Sequence, residues 1–457
     1  MELNDQLNGI VWGPIMLVAL VGTGAYLSVR TGFFQVRKFG FALRNTIGLV
    51  LGRKAKAADE TNISGFQAVS TALASTVGTG NIVGVATAIT VGGPGAVFWM
   101  WISAFFGMMT KYAEIVLAMK YRETNREGQY AGGPMYYLKN GLKLPWLATI
   151  FAVFATLATF GIGNMTQANS IAGAFETSFG LSPAVVGLLL VVLTAIVILG
   201  GIKSIARVTE KLVPFMAVFY VALALIILVL NITELPRMLL FVFECAFSPE
   251  SALGGATGYT VAMAMRMGIA RGVFSNEAGL GSAPIAHAAS NTKEPVKQGL
   301  WGIFEVFVDT IVICTMTALV ILTTGVWQGD KTGSALTIEA FNHGLPGTVG
   351  GIGLTIGLAL FAYSTILGWS YYGEKSLEFL FRKTSLTKQA ILGYRLLFVA
   401  AVYAGAVGGL HEVWAIADTL NGLMAIPNLI GVIALSGVVF AETKSYVERA
   451  RAGTTED

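Results

Sequence analysis

STVGTGNIVG, residues 75–84, interrupts a long apolar stretch with three glycines and an asparagine. Its glycine spacing, G-x-G-x-x-x-G, departs from the G-x-G-x-x-G of dinucleotide-binding loops, and both of its flanks are apolar. A glycine inside a helix costs about 1 kcal/mol relative to alanine, and unpaired backbone groups inside a bilayer cost more. The stretch therefore predicts either an unwound turn that binds a ligand with free amides and carbonyls, or a set of close-packing positions between helices.

The composition indicates that lipid is the main solvent of this chain. Of its 457 residues, 54% are hydrophobic and 12% are charged, against about 25% charged in an average soluble domain. A helix needs about 20 mainly apolar residues to cross a bilayer. On that rule we predict an all-α polytopic membrane protein with about eleven transmembrane helices. They cover residues 8–29, 64–91, 94–120, 145–172, 182–202, 208–230, 253–285, 298–324, 347–381, 391–409 and 413–440.

Lysine and arginine are concentrated in one set of loops. If the eleven spans alternate in direction, one set holds 25 basic residues and the other only Arg237 and Lys331. The basic loops are 30–60, 120–144, 203–211, 286–297, 375–395 and the segment after 441. Because cytoplasmic loops carry the excess of basic residues, we predict a multi-pass protein of the cell membrane with an extracellular N-terminus and a cytoplasmic C-terminus.

A second apolar span is interrupted five spans later, by SNEAGLGSAP at residues 275–284. An offset of five spans gives the two interrupted helices opposite directions. Paired Gly/Pro-interrupted segments at corresponding places in two halves are typical of inverted-repeat transporters. We therefore predict a 5+5 inverted repeat preceded by one extra N-terminal helix, although the two halves share little residue identity.

Two segments do not fit the spans. Residues 33–51 mix apolar and basic side chains and predict an amphipathic helix on the membrane, and residues 235–248 are too short to cross. The predicted units are the N-terminal helix with its amphipathic segment (1–60), the first repeat (61–231), an extracellular or re-entrant linker (232–251), the second repeat (252–441) and a cytoplasmic tail (442–457).

The second interruption brings polar groups to membrane depth. Phe274 can supply an apolar wall there, and Ser275 and Asn276 a hydroxyl and an amide. Glu277 is an ionisable group inside a span, which suggests a functional role. A structural role, paired with Arg271 or capping the half-helix, is equally open.

Span 347–381 carries a cluster of oxygens. Ser364 and Thr365 follow Phe361 by three and four residues, so both hydroxyls share a helical face with its carbonyl. The three oxygens can form part of a sodium cage, or the hydroxyls can simply bond back to the preceding turn. Trp369, one turn further on, can close a pocket or pack.

Two further polar pairs lie at helical spacing. Asn164 and Gln167 can line a cavity or tie helices together, and Glu305 and Asp309 can belong to a proton or ion path. The motifs of other function classes are missing from the sequence: there is no phosphate loop, no H-E-x-x-H zinc site and no G-x-S-x-G nucleophile. We therefore do not expect an enzyme.

Several longer motifs carry a resemblance to a known family. GGPGAVFWMWISAFFG (92–107), preceded by STALASTVGTGNIVG (70–84), closely resembles the alanine/glycine:cation symporter family. VFSNEAGLGSAPIAHAA (273–289) and AYSTILGWSYYGEKSLEFL (362–380) extend the match along the chain. The resemblance implies a leucine-transporter-like fold and sodium-coupled import of alanine or glycine by alternating access.

The resemblance also implies where the ligands bind. It adds the carbonyls of Ala74 and Val77 to the oxygens of Phe361, Ser364 and Thr365 as the sodium site. The amides of Gly78, Thr79 and Gly80 would meet the substrate carboxylate, with Thr76 and Asn81 nearby. Oxygens of Phe274, Ser275 and Asn276 would meet the ammonium, and Gln167 and Trp369 would line a small side-chain pocket. The alternative is a proton-coupled amino-acid transporter that uses Glu277 or Asp309.

Overall fold

The computed structural model describes residues 2–46, 61–248, 260–408 and 410–454 of a helical bundle. Its α-helices are α1 Glu2–Val11, α2 Pro14–Arg30, α3 Phe34–Arg37, α4 Phe39–Asn45, α5 Gly65–Thr76, α6 Val83–Gly92, α7 Ala96–Lys120, α8 Pro134–Asn140, α9 Pro145–Phe160, α10 Thr166–Phe179, α11 Pro183–Ile198, α12 Gly201–Leu230, α13 Leu235–Phe247, α14 Val261–Asn276, α15 Ala283–His287, α16 Pro295–Val306, α17 Thr315–Thr323, α18 Gly333–Gly344, α19 Val349–Phe381, α20 Thr387–Val407, α21 Leu410–Ala434 and α22 Ser436–Ala452. Short 3₁₀ turns cover Thr79–Asn81 and Val326–Gln328, π-helical turns cover Gly161–Met165 and Phe307–Cys314, and β1 Glu123–Thr124 pairs antiparallel with β2 Tyr130–Ala131.

Eight helices of the described residues are long and apolar enough to cross a membrane. The three other predicted spans are the 16-residue helix α11 and the two interrupted segments, α5–α6 and α14–α15. The π-helical turns join α9 to α10 and α16 to α17, so each of those pairs forms one span. The prediction of a polytopic all-α protein is confirmed.

The helices form two sets of five, and each set begins with an interrupted helix. The first set is α5–α6, α7, α9–α10, α11 and α12, and the second is α14–α15, α16–α17, α19, α20 and α21. A short helix follows the second member of each set. The helix α8 packs on α9 of its own set and on α21, the last member of the other set. The helix α18 packs correspondingly on α19 and on α12, so the two sets are arranged alike.

Both predicted interruptions are present. The helix α5 ends at Thr76, the chain passes through an extended Val77, and α6 begins only at Val83. The helix α14 ends at Asn276, and Glu277 adopts a left-handed conformation with a φ of 59°. We call residues 77–82 the first break and residues 277–282 the second break.

Several predicted boundaries differ from the structure. The span predicted at 145–172 continues to Phe179, and the span predicted from 208 begins at Gly201. The last span, predicted to run to 440, ends at Ala434, and α22 then covers much of the predicted tail. The helix α22 packs on α7 and α16. The limits of the five predicted units remain predictions, and residues 47–60, 249–259, 409 and 455–457 lie outside the described part of the chain.

The short segments also have a defined structure. In the predicted amphipathic segment 33–51, residues 34–45 form α3 and α4, and the rest beyond residue 46 lies outside the described chain. Segment 235–248 forms α13, which packs on α7, α14 and α17. With 13 residues, α13 is too short to cross a bilayer, as predicted.

Small residues bring the second interrupted helix close to its neighbour. A Cβ atom added at Gly268 of α14 would lie 2.2 Å from the carbonyl oxygen of Ala96 on α7. One added at Gly272 would lie 2.6 Å from the hydroxyl of Ser103. Such close approach of backbones is typical of membrane helices. It fixes the end of α14, and with it the second break, against α7.

Candidate functional site

Five oxygen atoms of α5, the first break and α19 meet at one point. The Ser364 hydroxyl lies 3.0 Å from the Ala74 carbonyl oxygen, and the Thr365 hydroxyl lies 3.1 Å from the same atom. Thr365 is also 3.4 Å from the Val77 carbonyl and 3.0 Å from the Phe361 carbonyl. We call these five residues the oxygen cage. All of them are buried, so the geometry suits a cation that prefers oxygen ligands.

The amides of the first break face side-chain oxygens. The Gly78 amide donates to Asn81 Oδ1 over 2.9 Å, and the Thr79 amide donates to Gln167 Oε1 over 3.2 Å. Gly80 lies against the end of α14: a Cβ atom added there would lie 2.9 Å from the Cα of Ser275. The first break therefore presents its amides beside the second interrupted helix, at the depth of the oxygen cage.

Asp309 joins the two interrupted helices. Asn81 Nδ2 donates to Asp309 Oδ1 over 2.6 Å, and the Ser275 hydroxyl donates to the same oxygen over 3.1 Å. Asn276 Nδ2 reaches the hydroxyl of Thr310, the next residue, over 3.1 Å. All of these side chains are buried. Asp309 lies in the π-helical turn between α16 and α17, and such turns are frequent at functional sites.

Comparison with known proteins identifies the family. The model of the sodium:alanine symporter family matches residues 1–457. The chain belongs to that family. It is a sodium-coupled amino-acid symporter and not an enzyme.

Two relatives show how closely the symporter resembles named proteins. It is 50% identical over 455 residues to the sodium/alanine symporter AgcS of Methanococcus maripaludis, covering 98% of this chain and 97% of the relative. It is 39% identical over 447 residues to a Bacillus subtilis protein named "Probable sodium/glutamine symporter GlnT", covering 98% and 90%. One relative is therefore named for alanine and the other for glutamine.

A solved structure confirms the fold of the symporter. The crystal structure of MhsT in complex with L-phenylalanine matches with a TM-score of 0.55 at 18% sequence identity, over 83% of this chain and 90% of that one. Together with the two sets of five helices, this likeness confirms the predicted leucine-transporter-like fold.

Trp369 connects the end of α5 to the second break of the symporter. Its indole Nε1 donates to the Ser75 carbonyl over 3.3 Å and to Glu277 Oε1 over 3.0 Å. Gly163 packs against the ring, because a Cβ atom added there would lie 2.2 Å from the Trp369 Cβ. Glu277 also accepts a bond from the Ser282 hydroxyl. Trp369 thus packs and hydrogen-bonds between α5 and the second break.

The open alternatives for two polar pairs can now be separated. Asn164 ties helices together, since its Nδ2 donates to the Phe398 carbonyl over 2.7 Å, whereas Gln167 reaches the first break. Glu305 and Asp309, predicted as one path, have different partners. Asp309 binds the two interrupted helices, and Glu305 forms an ion pair with Lys111, whose Nζ lies 3.2 Å from Glu305 Oε2.

Sequence reasoning missed Lys111 as a site residue. Its Nζ donates to the Asn276 carbonyl over 2.8 Å and to the Thr76 hydroxyl over 3.3 Å. His287, which the sequence places near a loop, is fully buried, and its Nε2 lies 2.7 Å from Glu305 Oε1. A lysine in the middle of a span is the signal that could have identified this group, because ionisable residues at membrane depth are by default functional candidates.

Both ends of the bundle are closed around the breaks. On one face, which we call the aromatic face, the Phe274 and Trp414 rings stack with centroids 5.7 Å apart. Arg271, one turn earlier, pairs with Asp418 over 2.8 Å, so the predicted alternative of an Arg271–Glu277 pair is wrong.

The opposite face, which we call the basic face, is closed by main-chain contacts. Ile63, before α5, forms a parallel bridge with Ser290, and the Asn291 amide donates to the Ile63 carbonyl over 2.8 Å. Arg122 donates to the carbonyls of Ser290 and Thr292 over 2.7 and 2.9 Å. A cleft of about 950 Å³ on this face is lined by charged residues of β1, α19 and α20, but it does not reach the breaks.

Proposed function

We propose that the symporter imports a small neutral amino acid, alanine or glycine, together with sodium, by alternating access across the cell membrane. The observation that carries the proposal is the oxygen cage, in which carbonyls of Ala74, Val77 and Phe361 meet the hydroxyls of Ser364 and Thr365. Carbonyl and hydroxyl oxygens without a carboxylate suit a monovalent cation of low charge density. The N-terminus lies outside the cell and the C-terminus in the cytoplasm, as the basic loops suggest.

Sodium in the cage would join α5 to α19. In the structure the two hydroxyls donate to the carbonyls, and they would turn their lone pairs inward when the ion binds. A Cβ atom at Gly78 would lie 2.4 Å from Thr365 Oγ1, so the first break and the cage touch directly. Sodium would thereby fix the carbonyls of Ala74 and Val77, which lie just before the turn that holds the amino acid.

The substrate carboxylate would bind the amides of Gly78, Thr79 and Gly80. Because Asn81 and Gln167 already accept from two of these amides, the carboxylate would displace or share these bonds. Its charge would also be favoured by the N-terminal end of α6.

The ammonium would bind the oxygens at the end of α14, chiefly those of Phe274 and Ser275. The Asn276 carbonyl accepts a bond from Lys111, so it is a weaker candidate than the sequence suggested, while Thr76 and the Asn276 amide would border the site. The bulk of Trp369, held between α5 and the second break, would limit the pocket to small side chains.

Alternating access would open one closed face at a time. The Phe274–Trp414 stack and the Arg271–Asp418 pair would separate toward the outside, and the Ile63–Ser290 contact toward the cytoplasm. Secondary transporters of inverted-repeat design move one helix bundle against the other around a fixed central site.

A proton-coupled transporter remains the alternative. Asp309 bonds to both interrupted helices and Glu277 bonds to Trp369, so protonation of either carboxylate would change contacts between the breaks. This mechanism would need a proton gradient and no sodium.

Uptake of radiolabelled alanine into proteoliposomes tests the proposal. We expect uptake under an inward sodium gradient, inhibition by excess unlabelled glycine, and little inhibition by glutamine, the amino acid in the name of one relative. Uptake driven by a proton gradient in sodium-free buffer would support the alternative. Strong inhibition by glutamine would refute the small pocket beside Trp369.

A further inference from the structure

Lys111 is a fully buried cation that touches both interrupted helices. It lies on α7, and its ammonium is surrounded by three oxygens from three different elements. Lys111 Nζ lies 3.3 Å from Oγ1 of Thr76, the last residue of α5, and 2.8 Å from the carbonyl oxygen of Asn276, the last residue of α14. It lies 3.2 Å from Oε2 of Glu305 on α16. An ammonium has three protons and no acceptor; this one donates to the Thr76 and Asn276 oxygens and forms an ion pair with Glu305.

Thr76 connects this ammonium to the oxygen cage. It lies between Ala74 and Val77, and both carbonyls of those neighbours belong to the cage. Any ligand that fixes these two carbonyls also restricts Thr76. On the other side, Asn276 directly follows Phe274 and Ser275, whose oxygens are the proposed partners of the substrate ammonium. Lys111 therefore links the sodium site to the substrate site through two hydrogen bonds.

The charge of Lys111 is balanced locally. Glu305 holds it with one carboxylate oxygen and contacts His287 Nε2 with the other, while His287 Nδ1 lies 2.8 Å from Gln298 Nε2. The other buried carboxylates nearby have separate partners. Glu114 accepts from the Gly279 amide over 3.0 Å and from Asn428, Glu277 accepts from Trp369 and Ser282, and Asp309 accepts from Asn81 and Ser275.

We propose that Lys111 is the positioning residue that couples sodium binding to amino-acid binding. Sodium fixes the position of the end of α5, and Lys111, bonded to both helix ends, then fixes the position of the end of α14. The oxygens that bind the substrate ammonium are thereby placed before the amino acid arrives. Buried ion pairs contribute little net stability, and their best-attested use is to specify one arrangement of neighbouring elements. By linkage, the amino acid strengthens sodium binding by the same factor.

The test is how far sodium lowers the KM for alanine. This inference rests on the proposed function, and coupling between two sites is typically about 5–150-fold. We compare the KM at low and at saturating sodium in the parent protein and in the double variant Lys111→Met, Glu305→Gln. The double substitution removes both charges together, because Lys111→Met alone would leave Glu305 without its cation and would threaten folding.

Two further variants keep the result interpretable. Thr76→Val retains both charges and removes the hydroxyl at the end of α5, which accepts from Lys111 and donates to the Ala72 carbonyl. It therefore serves if the double variant does not fold or transport. Lys375→Met, Glu378→Gln is the matched control, since this pair on α19 is also largely buried, with Lys375 Nζ 2.6 Å from Glu378 Oε2, but lies away from both breaks.

We expect sodium to change the KM for alanine by less than about twofold in the double variant and in Thr76→Val. In the parent and in the control, sodium should lower the KM by about 5–150-fold. A parent-like sodium effect in the double variant, or in Thr76→Val where the double variant is inactive, would overturn the role of Lys111. A parent protein whose uptake ignores sodium would instead refute the proposed function.

Discussion

Thr365 has the densest set of contacts in the oxygen cage. Its hydroxyl lies within 3.4 Å of the carbonyl oxygens of Ala74, Val77 and Phe361. Two of those carbonyls belong to α5 and the first break, and the third to its own helix. Without this hydroxyl, the cage would offer sodium four oxygen ligands instead of five. The helix α19 would keep all of its main-chain hydrogen bonds.

Thr365→Ala should therefore affect sodium more than stability. We expect the sodium concentration for half-maximal alanine uptake to rise roughly tenfold, which corresponds to about 1.4 kcal/mol. The loss of one buried hydroxyl bond should cost only about 1 kcal/mol in the free energy of unfolding. Initial uptake rates over a sodium series, with thermal unfolding of the purified variant, measure both.

Thr355→Ala is the control on the same helix. Thr355 is equally buried, and its hydroxyl lies 2.7 Å from that of Ser178, away from the cage. This variant should lose similar stability and keep the parent sodium dependence. If both threonine variants shift the sodium curve alike, the effect comes from α19 as a whole and Thr365 is not a ligand.

Single residues were predictable where spacing along one helix defines them. The shared face of Phe361, Ser364 and Thr365 follows from 3.6 residues per turn, so the sequence could indicate three of the five cage oxygens. The partners of Lys111 and His287 could not be predicted in this way. These partners lie on three helices, α5, α14 and α16, and their approach depends on tertiary packing that no local period encodes.

At the scale of elements, the closure of the basic face depends on the start of α5 and the end of α15. The parallel bridge between Ile63 and Ser290 is held by main-chain groups. Arg122, which lies just after the C-terminal end of α7, donates to the Ser290 carbonyl. These contacts must separate if the central site is to open on this face. A covalent link across them would hold the face shut.

The double substitution Ile63→Cys, Ser290→Cys provides that link. Bridge partners lie close enough for a disulfide, which needs Cα atoms about 4.4–6.8 Å apart. Oxidation should remove nearly all alanine uptake, and reduction should restore it. The natural cysteines, Cys245 and Cys314, are buried and should not interfere.

Each single cysteine variant serves as the control and should transport alike before and after oxidation. Undiminished uptake by the cross-linked double variant, with the disulfide confirmed by mass spectrometry, would show that this contact does not separate during transport.

The breaks were the most predictable elements, because glycine and proline inside an apolar span carry a local cost that does not depend on the rest of the fold. The end of the last span was less predictable. The chain turns at Leu435 and continues as α22, whose position is fixed by packing on α7 and α16 and by an ion pair of Arg449 with Glu294. The hydropathy of the segment could not predict these contacts, because they depend on residues far away in the sequence.

At the scale of the whole molecule, two sets of five helices surround the first break and the end of α14, which lie against each other. Their equivalence was predicted from the position of the interruptions, since the sets share little residue identity. The structure adds the equivalent packing of α8 and α18, each on the last helix of the other set. That both faces are closed could not be predicted, because closure depends on pairs such as Phe274 with Trp414, which are far apart in the sequence.

The central claim is that bare peptide groups at the first break and at the end of α14 bind an amino acid only when the adjacent oxygen cage binds sodium. Equilibrium binding of radiolabelled alanine to the purified protein, titrated with sodium while choline keeps the ionic strength constant, tests it most directly. We predict that alanine binding rises steeply with sodium and is nearly lost in choline alone. Equal binding of alanine in choline and in sodium would contradict the account.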